Sequence, residues 1–135
     1  PLGKARVAVP GSDCTVIAYG MALYTAMKAL ETLSEKGISC EVIDLRSLVP
    51  LDKACILESV RKTGRLVVVH EANRFCGFGA ELAAMVAEEA FEALKGPVKR
   101  VGAPQIPVPV ASSLEKVFKP SPEDVVAAVL ETMSK

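Results

Sequence analysis

The chain has 135 residues, half of them apolar, and its 16 basic residues balance 16 acidic ones. This length fits one domain, which buries about 70% of the surface that its unfolded chain exposes, so a self-sufficient core is expected. The zero net charge argues against nucleic-acid binding and against attraction to an anionic membrane. No apolar run approaches the roughly 20 residues of a membrane span, which predicts a soluble chain.

The four cysteines include no CxxC pair, and the sequence has a single histidine. A zinc site needs more ligands of these kinds, and a disulfide framework is typical of small secreted domains, so we expect neither. Three of the four, at positions 14, 40 and 55, lie in apolar patterns and are predicted to be reduced core residues of an intracellular protein. The chain opens on Pro1 without a methionine, which indicates a fragment or a processed product.

The first half of the chain predicts a buried strand, a helix and a second strand. Residues 14–19 form a short apolar run that ends at Gly20, and residues 40–45 form another. Between them lies a helical pattern that Gly37 closes by taking the left-handed position after Lys36. The apolar stripe of this helix is predicted to comprise Leu23, Ala26, Met27, Leu30 and Leu33.

The second half repeats this alternation. Asp52 is the predicted N-cap of a helix over residues 53–63, which Gly64 closes. A third strand over residues 65–70, a helix from about 79 to 95 and a fourth strand over residues 98–102 follow. Ser121 and Pro122 predict the start of a last helix, whose buried stripe would be Val125, Val126, Val129, Leu130 and Met133.

Strands that alternate with helices of this length join one sheet as parallel neighbours, with helices on both faces. The sequence therefore predicts a three-layer α/β/α domain. Residues 5–9 alternate weakly and fit either an edge strand or a linker. Residues 105–110 are rich in proline, which cannot donate a full ladder of hydrogen bonds, so an extended surface strap is expected there.

In a parallel sheet the loops after the strands gather at one edge. That edge would bring together five side chains, either as an anion pocket or as a contact with another domain or subunit, and we favour the contact. The five are Arg46, Glu71, Asn73, Arg74 and Phe75. The glycines at 77 and 79 do not make a dinucleotide fingerprint, because they follow the third strand and the last required glycine is replaced by Leu82.

No catalytic residue emerges from the sequence. His70 stands beside Glu71 at a strand end, where a general-base pair can be imagined, but no nucleophile lies in a recognisable setting. Cys76 has no second histidine to activate it, and Arg74 alone does not make it a reactive thiolate. A structural role is the favoured interpretation of both residues.

Several segments in order resemble one known family. They are residues 1–5 (PLGKA), 11–13 (GSD), 42–52 (VIDLRSLVPLD), 62–65 (KTGR), 70–72 (HEA) and 77–81 (GFGAE). Together they resemble the carboxyl-terminal domain of the beta subunit of the thiamin-diphosphate-dependent decarboxylating component of 2-oxo acid dehydrogenase complexes. The likeness covers nearly the whole chain, and the histidine-glutamate-alanine segment is closer to branched-chain or acetoin-type members than to pyruvate-type ones.

The resemblance implies a transketolase C-terminal-domain-like fold, a mostly parallel five-stranded sheet whose one antiparallel strand would be residues 5–9 or a late segment. We expect the domain to comprise residues 14–135, after a linker or possible edge strand at 1–13, as a fragment of a longer beta subunit. It implies oxidative decarboxylation of a 2-oxo acid with acyl transfer to lipoyl groups. Thiamin diphosphate and Mg would be bound by other domains, which hold the catalytic histidine and the cofactor-contacting glutamate. No catalytic, cofactor-binding or metal-binding residue is therefore carried over to this chain.

The role implied for the domain itself is assembly. Its partners would be an alpha subunit and a second beta subunit in a heterotetramer, together with the subunit-binding domain of the dihydrolipoyl acyltransferase. The expected compartment is the cytoplasm of a bacterium or archaeon, or the mitochondrial matrix or plastid of a eukaryote. The predicted interface residues are Arg46, His70, Glu71, Arg74, Phe78 and Glu81.

One departure concerns the turn at residues 102–105, where some family members carry an acidic residue for docking and this chain has none. The last helix around residues 131–135 is the other candidate contributor to that contact.

Two alternative functions stay open at this point. One is the equivalent domain of another transketolase-type enzyme, such as a deoxyxylulose phosphate synthase, and the other is a free-standing flavodoxin-like module that binds an anion or nucleotide.

Overall fold

The computed structural model describes residues 1–106 and 118–134, which contain a five-stranded mixed sheet. Its strands are β1 (Arg6–Val9), β2 (Cys14–Ala18), β3 (Cys40–Asp44), β4 (Leu66–Asn73) and β5 (Lys99–Ala103), in the order β1-β3-β2-β4-β5. The strands β2 to β5 are parallel where they pair, and β1 pairs antiparallel with β3. The predicted mixed sheet is confirmed, and the segment left open between linker and edge strand contains a strand.

Two helices cover each face of the sheet, which confirms the three-layer architecture. They are α1 (Ala22–Glu35), α2 (Lys53–Thr63), α3 (Phe78–Glu89) and α4 (Pro122–Met133). One face of the sheet packs on α1 and α4 through small and β-branched side chains, and the other packs on α2 and α3 through larger ones. Because successive strand residues point to opposite faces, the central strands β2, β3 and β4 are mostly apolar at consecutive positions, as expected for a sheet covered on both sides.

The start of α2 also anchors the edge strand. The Asp52 carboxylate accepts a hydrogen bond from the Cys55 amide, 3.2 Å away, and another from the Ala5 amide, 2.9 Å away. The bond from Ala5 is the main cause that lowers the pKa of Asp52. Gly64 ends the helix with φ of 76°. The predicted bounds of α2 are confirmed, and its N-cap has the second task of tying down the segment before β1.

Other predicted boundaries were wrong. The strand β4 continues to Asn73 because Asn73 pairs with Ala103 of β5 after a register shift. The helix α3 ends at Glu89, and a short 3₁₀ turn (Phe91–Ala93) replaces its predicted last turn. Of the predicted proline-rich strap, residues 107–110 lie outside the described residues.

The apolar stripes of the first and last helices are rotated from their predicted positions. In α1 the buried residues are Ala22, Ala26, Ala29 and Leu33, and in α4 they are Val125, Ala128, Val129 and Thr132. Met27 and Leu130 are exposed instead. Small residues lie inside because α1 and α4 pack against each other as well as on the sheet, and close helix approach favours short side chains. Among the described residues, no helix is long and apolar enough to span a bilayer.

We expect Leu33→Ala to lower the free energy of unfolding by about 2–5 kcal/mol, because Leu33 is completely buried and its loss leaves a cavity under α1. The matched control is Met27→Ala on the same helix, which should change stability by no more than about 0.5 kcal/mol. Urea denaturation followed by circular dichroism measures both variants. Equal losses in the two variants would place the stripe where the sequence predicted it.

Candidate interaction site at the carboxyl edge of the sheet

Five segments of the chain meet at the carboxyl edge of the parallel strands. Four of them are the connections that follow β2, β3, β4 and β5. The fifth is the segment before β1, which arrives at the same edge because β1 is antiparallel and pairs Arg6 with Asp44 at the end of β3. Gly3 also packs on the ring of Pro50, in the connection after β3. The edge is therefore a surface built from distant parts of the sequence.

Each of these five segments exposes one large apolar side chain, which we call the apolar edge residues. They are between 51% and 88% exposed and comprise Leu2, Met21, Val49, Phe75 and Ile106. A single exposed apolar residue is normal on a protein surface, but an exposed apolar residue in every loop of one edge is typical of a contact surface. Phe75 was predicted in this region from the sequence, and the other four residues were not. The signal that could have found them is a large apolar residue shortly after each parallel strand and shortly before the antiparallel β1.

Charged residues of both signs are exposed in the segments of the same edge. Arg46, Glu71, Arg74 and Glu81 were predicted here and are exposed. Arg46 has a left-handed backbone, with φ of 62°. It follows β3 whereas Arg74 follows β4, and β2 lies between those strands, which are therefore about 10 Å apart. Two separated arginines balanced by two glutamates fit the polar rim of a protein interface better than an anion pocket.

The loop after β4 is fixed in place by β5. The Arg74 amide donates a hydrogen bond to the Ala103 carbonyl, 2.9 Å away, and the Arg100 guanidinium donates to the Arg74 carbonyl at 2.7 Å. Cys76 then takes a left-handed backbone with φ of 56°, and Gly77 is the N-cap of α3. Phe75 is thus presented to solvent by a loop whose backbone is tied to the sheet.

His70 lies directly beneath this loop and is completely buried. Three glycines make room for its ring, and a Cβ atom added to any of them would come close to it. A Cβ atom on Gly77 would lie 3.0 Å from Cε1 of His70, and one on Gly102 would lie 2.9 Å from the same atom. A Cβ atom on Gly79 would lie 2.8 Å from Nε2. His70 was predicted as an interface residue, and in this chain its ring is completely buried. Its position is suited to supporting the loop from inside, whereas a partner would meet the loop itself.

The hydrogen bonding of His70 indicates a neutral imidazole. Nδ1 lies 3.0 Å from the Ala72 carbonyl oxygen, so it carries the proton and donates it. Nε2 has no hydrogen-bond partner in the part of the chain that the structure describes. Burial lowers the pKa of His70, and the nearby positive charge of Arg100 acts in the same direction. A neutral ring without access to solvent is not placed to act as a general base.

Two aromatic rings close the space between β2 and α3 beside His70. The Tyr19 ring centroid lies 6.1 Å from that of His70 and 6.3 Å from that of Phe78, in an edge-to-face arrangement with the latter. Burial raises the pKa of Tyr19. In open α/β sheets a ligand crevice forms where neighbouring strands are followed by helices on opposite faces. That is the case here, because α1 after β2 covers one face, whereas α2 after β3 and α3 after β4 cover the other. Here aromatic side chains occupy that place, and the predicted interface residue Phe78 is half-buried among them.

The described residues offer no group of three or more histidine, cysteine, aspartate or glutamate side chains that could hold a metal ion. Cys76 is exposed at the edge, and Glu81 places a carboxylate in the first turn of α3. That carboxylate already occupies the favourable position at the positive end of the helix, where an anionic ligand would otherwise be attracted. The arrangement of the edge is thus suited to contact with another protein surface.

Comparison with known proteins places the chain in a family context. Residues 3–125 match the family described as "Transketolase, C-terminal domain". The chain is 43% identical over 135 residues to the beta subunit of acetoin:2,6-dichlorophenolindophenol oxidoreductase from Bacillus subtilis (strain 168), covering 100% of this chain and 40% of the relative. It is 46% identical over 129 residues to the pyruvate dehydrogenase E1 component subunit beta of Rickettsia bellii, covering 96% and 40%. The chain thus spans about 40% of the length of these relatives.

Solved structures give the same architecture. A chain titled "Split gene transketolase, inactive beta4 tetramer" superposes with a TM-score of 0.84 at 31% identity, covering 98% of this chain and 42% of that one. A transketolase from Pichia stipitis superposes with a TM-score of 0.66 at 18% identity, covering 97% and 18%, and supports the fold alone.

The glycine contacts of His70 can be tested with a double-mutant cycle. Alanine usually stabilises a helical glycine position by about 0.5–1 kcal/mol, but Gly79→Ala should cost about 1–3 kcal/mol because its methyl group meets the imidazole ring. In a His70→Ala background the same substitution should cost at least about 1 kcal/mol less. Chemical denaturation of the four proteins gives the coupling energy. Equal costs in both backgrounds would show that the ring does not limit this position.

The buried neutral histidine also predicts a pH dependence of stability. The lowered pKa of His70 means that the unfolded chain, with a histidine pKa of about 6.5, takes up the proton first as the pH falls. Stability is therefore lost below about pH 6.5, by at most about 1.4 kcal/mol per pH unit. Urea unfolding at pH 7.5 and 5.5 measures this. His70→Asn, which keeps a donor near the Nδ1 position and removes the only histidine, should abolish the difference. An unchanged pH dependence in that variant would assign the effect to other groups.

Proposed function

Because this chain belongs to the transketolase C-terminal domain family, we propose that it is the subunit-assembly and docking domain of the beta subunit of a 2-oxo acid dehydrogenase. The full complex would carry out oxidative decarboxylation of a 2-oxo acid and transfer the acyl group to lipoyl groups. The beta-subunit names of its relatives, at 43% and 46% identity, support this choice. The missing length of those relatives would supply the rest of the subunit.

The observation that carries the proposal is the set of apolar edge residues. Five segments that are distant in sequence expose large apolar side chains at one edge, where charged residues of both signs are also exposed. An apolar centre with a polar rim is the usual anatomy of a protein interface. We therefore place the contact with the alpha subunit and the second beta subunit at the carboxyl edge. Four predicted residues, Arg46, Glu71, Arg74 and Glu81, would form its rim, and Phe78 would support it.

Thiamin diphosphate and its Mg would be held by the other domains of the enzyme. Glu81 supports this division of roles, because its carboxylate in the first turn of α3 would repel a diphosphate from that helix end. The contribution of this domain to the cofactor is therefore indirect. By holding the partner chains in position, it would help to form the site at which they bind the cofactor.

Docking of the acyltransferase subunit-binding domain would use the side of the sheet formed by β5 and α4. The turn after β5 carries no acidic residue, and Glu131 of α4 is paired with Lys99 of β5 at 2.8 Å. Arg100 and Asp124 line the same groove between the strand and the helix. This surface carries both positive and negative side chains, so a partner that docks on it would need charges of both signs in complementary positions.

The alternative functions receive less support. The equivalent domain of another transketolase-type enzyme would share the edge, but the sequence relatives named above are beta subunits of acetoin and pyruvate-converting enzymes. A flavodoxin-like module would need an open crevice where Tyr19, His70 and Phe78 pack together. Relatives include bacterial proteins and plant proteins named as mitochondrial, so a bacterial cytoplasm or a mitochondrial matrix is the proposed location.

The proposal is tested by a charge placed at the edge. In a full-length beta subunit that contains this domain, Phe75→Asp should weaken assembly with the alpha subunit at least about tenfold, because it puts an unpaired carboxylate in an apolar contact. The matched control is Phe91→Asp, since Phe91 is as exposed as Phe75 but lies after α3 at the opposite edge. Sedimentation velocity over a concentration series measures assembly, and circular dichroism verifies folding. Equal assembly of the two variants would contradict the proposal.

A further inference from the structure

Two cysteines lie side by side at the amino edge of the sheet, opposite the apolar edge residues. Cys14 is the first residue of β2 and Cys40 is the first residue of β3, and the two are directly paired in the parallel ladder. Both side chains lie in the core cluster that packs on α1 and α4. Neighbouring strands are about 4.8 Å apart, which is within the Cα separation of about 4.4–6.8 Å found for disulfides. Both thiols are free in the structure.

The residues just before the two cysteines hold the strand starts together. The Asp13 amide donates a hydrogen bond to the Ser39 carbonyl, 2.7 Å away, and the Ser39 amide donates to the Asp13 carboxylate at 2.8 Å. The Ser12 amide also donates to the Ser39 carbonyl, at 3.2 Å. These bonds cross between the two segments and add to the strand pairing that keeps the thiols in register.

The two thiols have different properties. Interaction with Cys40, followed by burial, raises the pKa of Cys14, whereas hydrogen bonding from the Cys14 thiol lowers the pKa of Cys40. Cys14 therefore keeps its proton while Cys40 is the better nucleophile. Cys40 also retains 4% exposure, whereas Cys14 has none. A small oxidant that enters from the amino edge would reach Cys40 first.

We propose that Cys14 and Cys40 are a redox pair that closes to a reversible disulfide in the presence of a hydroperoxide. The Cys40 thiolate attacks the peroxide oxygen and becomes a sulfenic acid, and the released alkoxide or hydroxide takes up a proton. The Cys14 sulfur then attacks the Cys40 sulfur, and its proton leaves with the hydroxyl group as water. The thiols are oxidised and the peroxide is reduced. A dithiol reductant reverses the bond by thiol–disulfide exchange.

The bond would link β2 and β3 at the amino edge and leave the carboxyl edge unchanged. It would alter the local contacts of Cys14, whose sulfur lies 3.9 Å from the Thr132 hydroxyl of α4. This inference does not depend on the proposed function, since it uses only residues at the other end of the sheet.

The experiment uses the chain with Cys55→Ala and Cys76→Ala, which removes the two cysteines outside the pair. The reduced protein is exposed to hydrogen peroxide, its remaining thiols are alkylated, and tryptic peptides are identified by mass spectrometry without reduction. Cleavage after lysine and arginine places Cys14 on peptide 7–28 and Cys40 on peptide 37–46. The expected result is a disulfide-linked pair of these peptides, whose mass is two hydrogen atoms less than the sum of the two reduced peptides. Dithiothreitol should separate the pair. Recovery of both peptides with alkylated thiols would overturn the proposal.

Two further variants in the same background test the roles of the thiols. Cys14→Ser, whose hydroxyl can still donate a hydrogen bond to Cys40 but cannot form a disulfide, should stop the reaction at the Cys40 sulfenic acid, which dimedone labels. Cys40→Ala should leave Cys14 unlabelled, because Cys14 has no solvent exposure and its burial raises its pKa even without Cys40. The reverse labelling pattern would overturn the assignment of Cys40 as the nucleophile. Wild-type chain analysed in parallel keeps the test valid if a variant folds poorly, because its four cysteines lie on four different tryptic peptides.

Discussion

The common direction of four neighbouring strands determines where the other features of this domain lie. Since β2, β3, β4 and β5 are parallel, every connection that follows them begins at the same edge. The antiparallel β1 adds the segment that precedes it to this edge. Burial of both sheet faces under helices leaves the two edges as the places where loops are free to vary. One edge displays large apolar side chains, and the other places two thiols next to each other.

At the carboxyl edge, the loop after β4 that carries Phe75 is held in place by packing and hydrogen bonds. His70 fills the space beneath the loop after β4, and three glycines leave room for its ring. Two residues of β5 hold the backbone of Arg74, since Ala103 accepts a hydrogen bond from its amide and Arg100 donates one to its carbonyl. A surface that is ordered before binding loses less conformational entropy when a partner arrives, so more of its contact energy appears as affinity. The conformational restriction of this loop thus connects the packing of one buried histidine with the assembly role proposed for the whole edge.

Local patterns were sufficient to predict the layers of the fold and the bounds of α2, because Asp52 and Gly64 mark its ends by hydrogen bonding and backbone preference. They were insufficient where distant residues decide the outcome. The extension of β4 depends on pairing with β5, and the rotation of α1 depends on contact with α4. At the candidate site the charged residues were predicted by their position after strands. The burial of His70 was not, because it requires Gly102, which is 32 positions away in the chain.

The most direct test of the central claim is hydroxyl-radical footprinting of the assembled enzyme against this chain alone. Each methionine and phenylalanine reports its own solvent exposure, so edge residues and controls are read in one experiment. The account predicts that assembly protects Met21 and Phe75 from oxidation while Met27 and Phe91, exposed elsewhere on the domain, react as before. Unchanged oxidation of Met21 and Phe75 in the assembled enzyme would contradict the claim that the carboxyl edge is the interface.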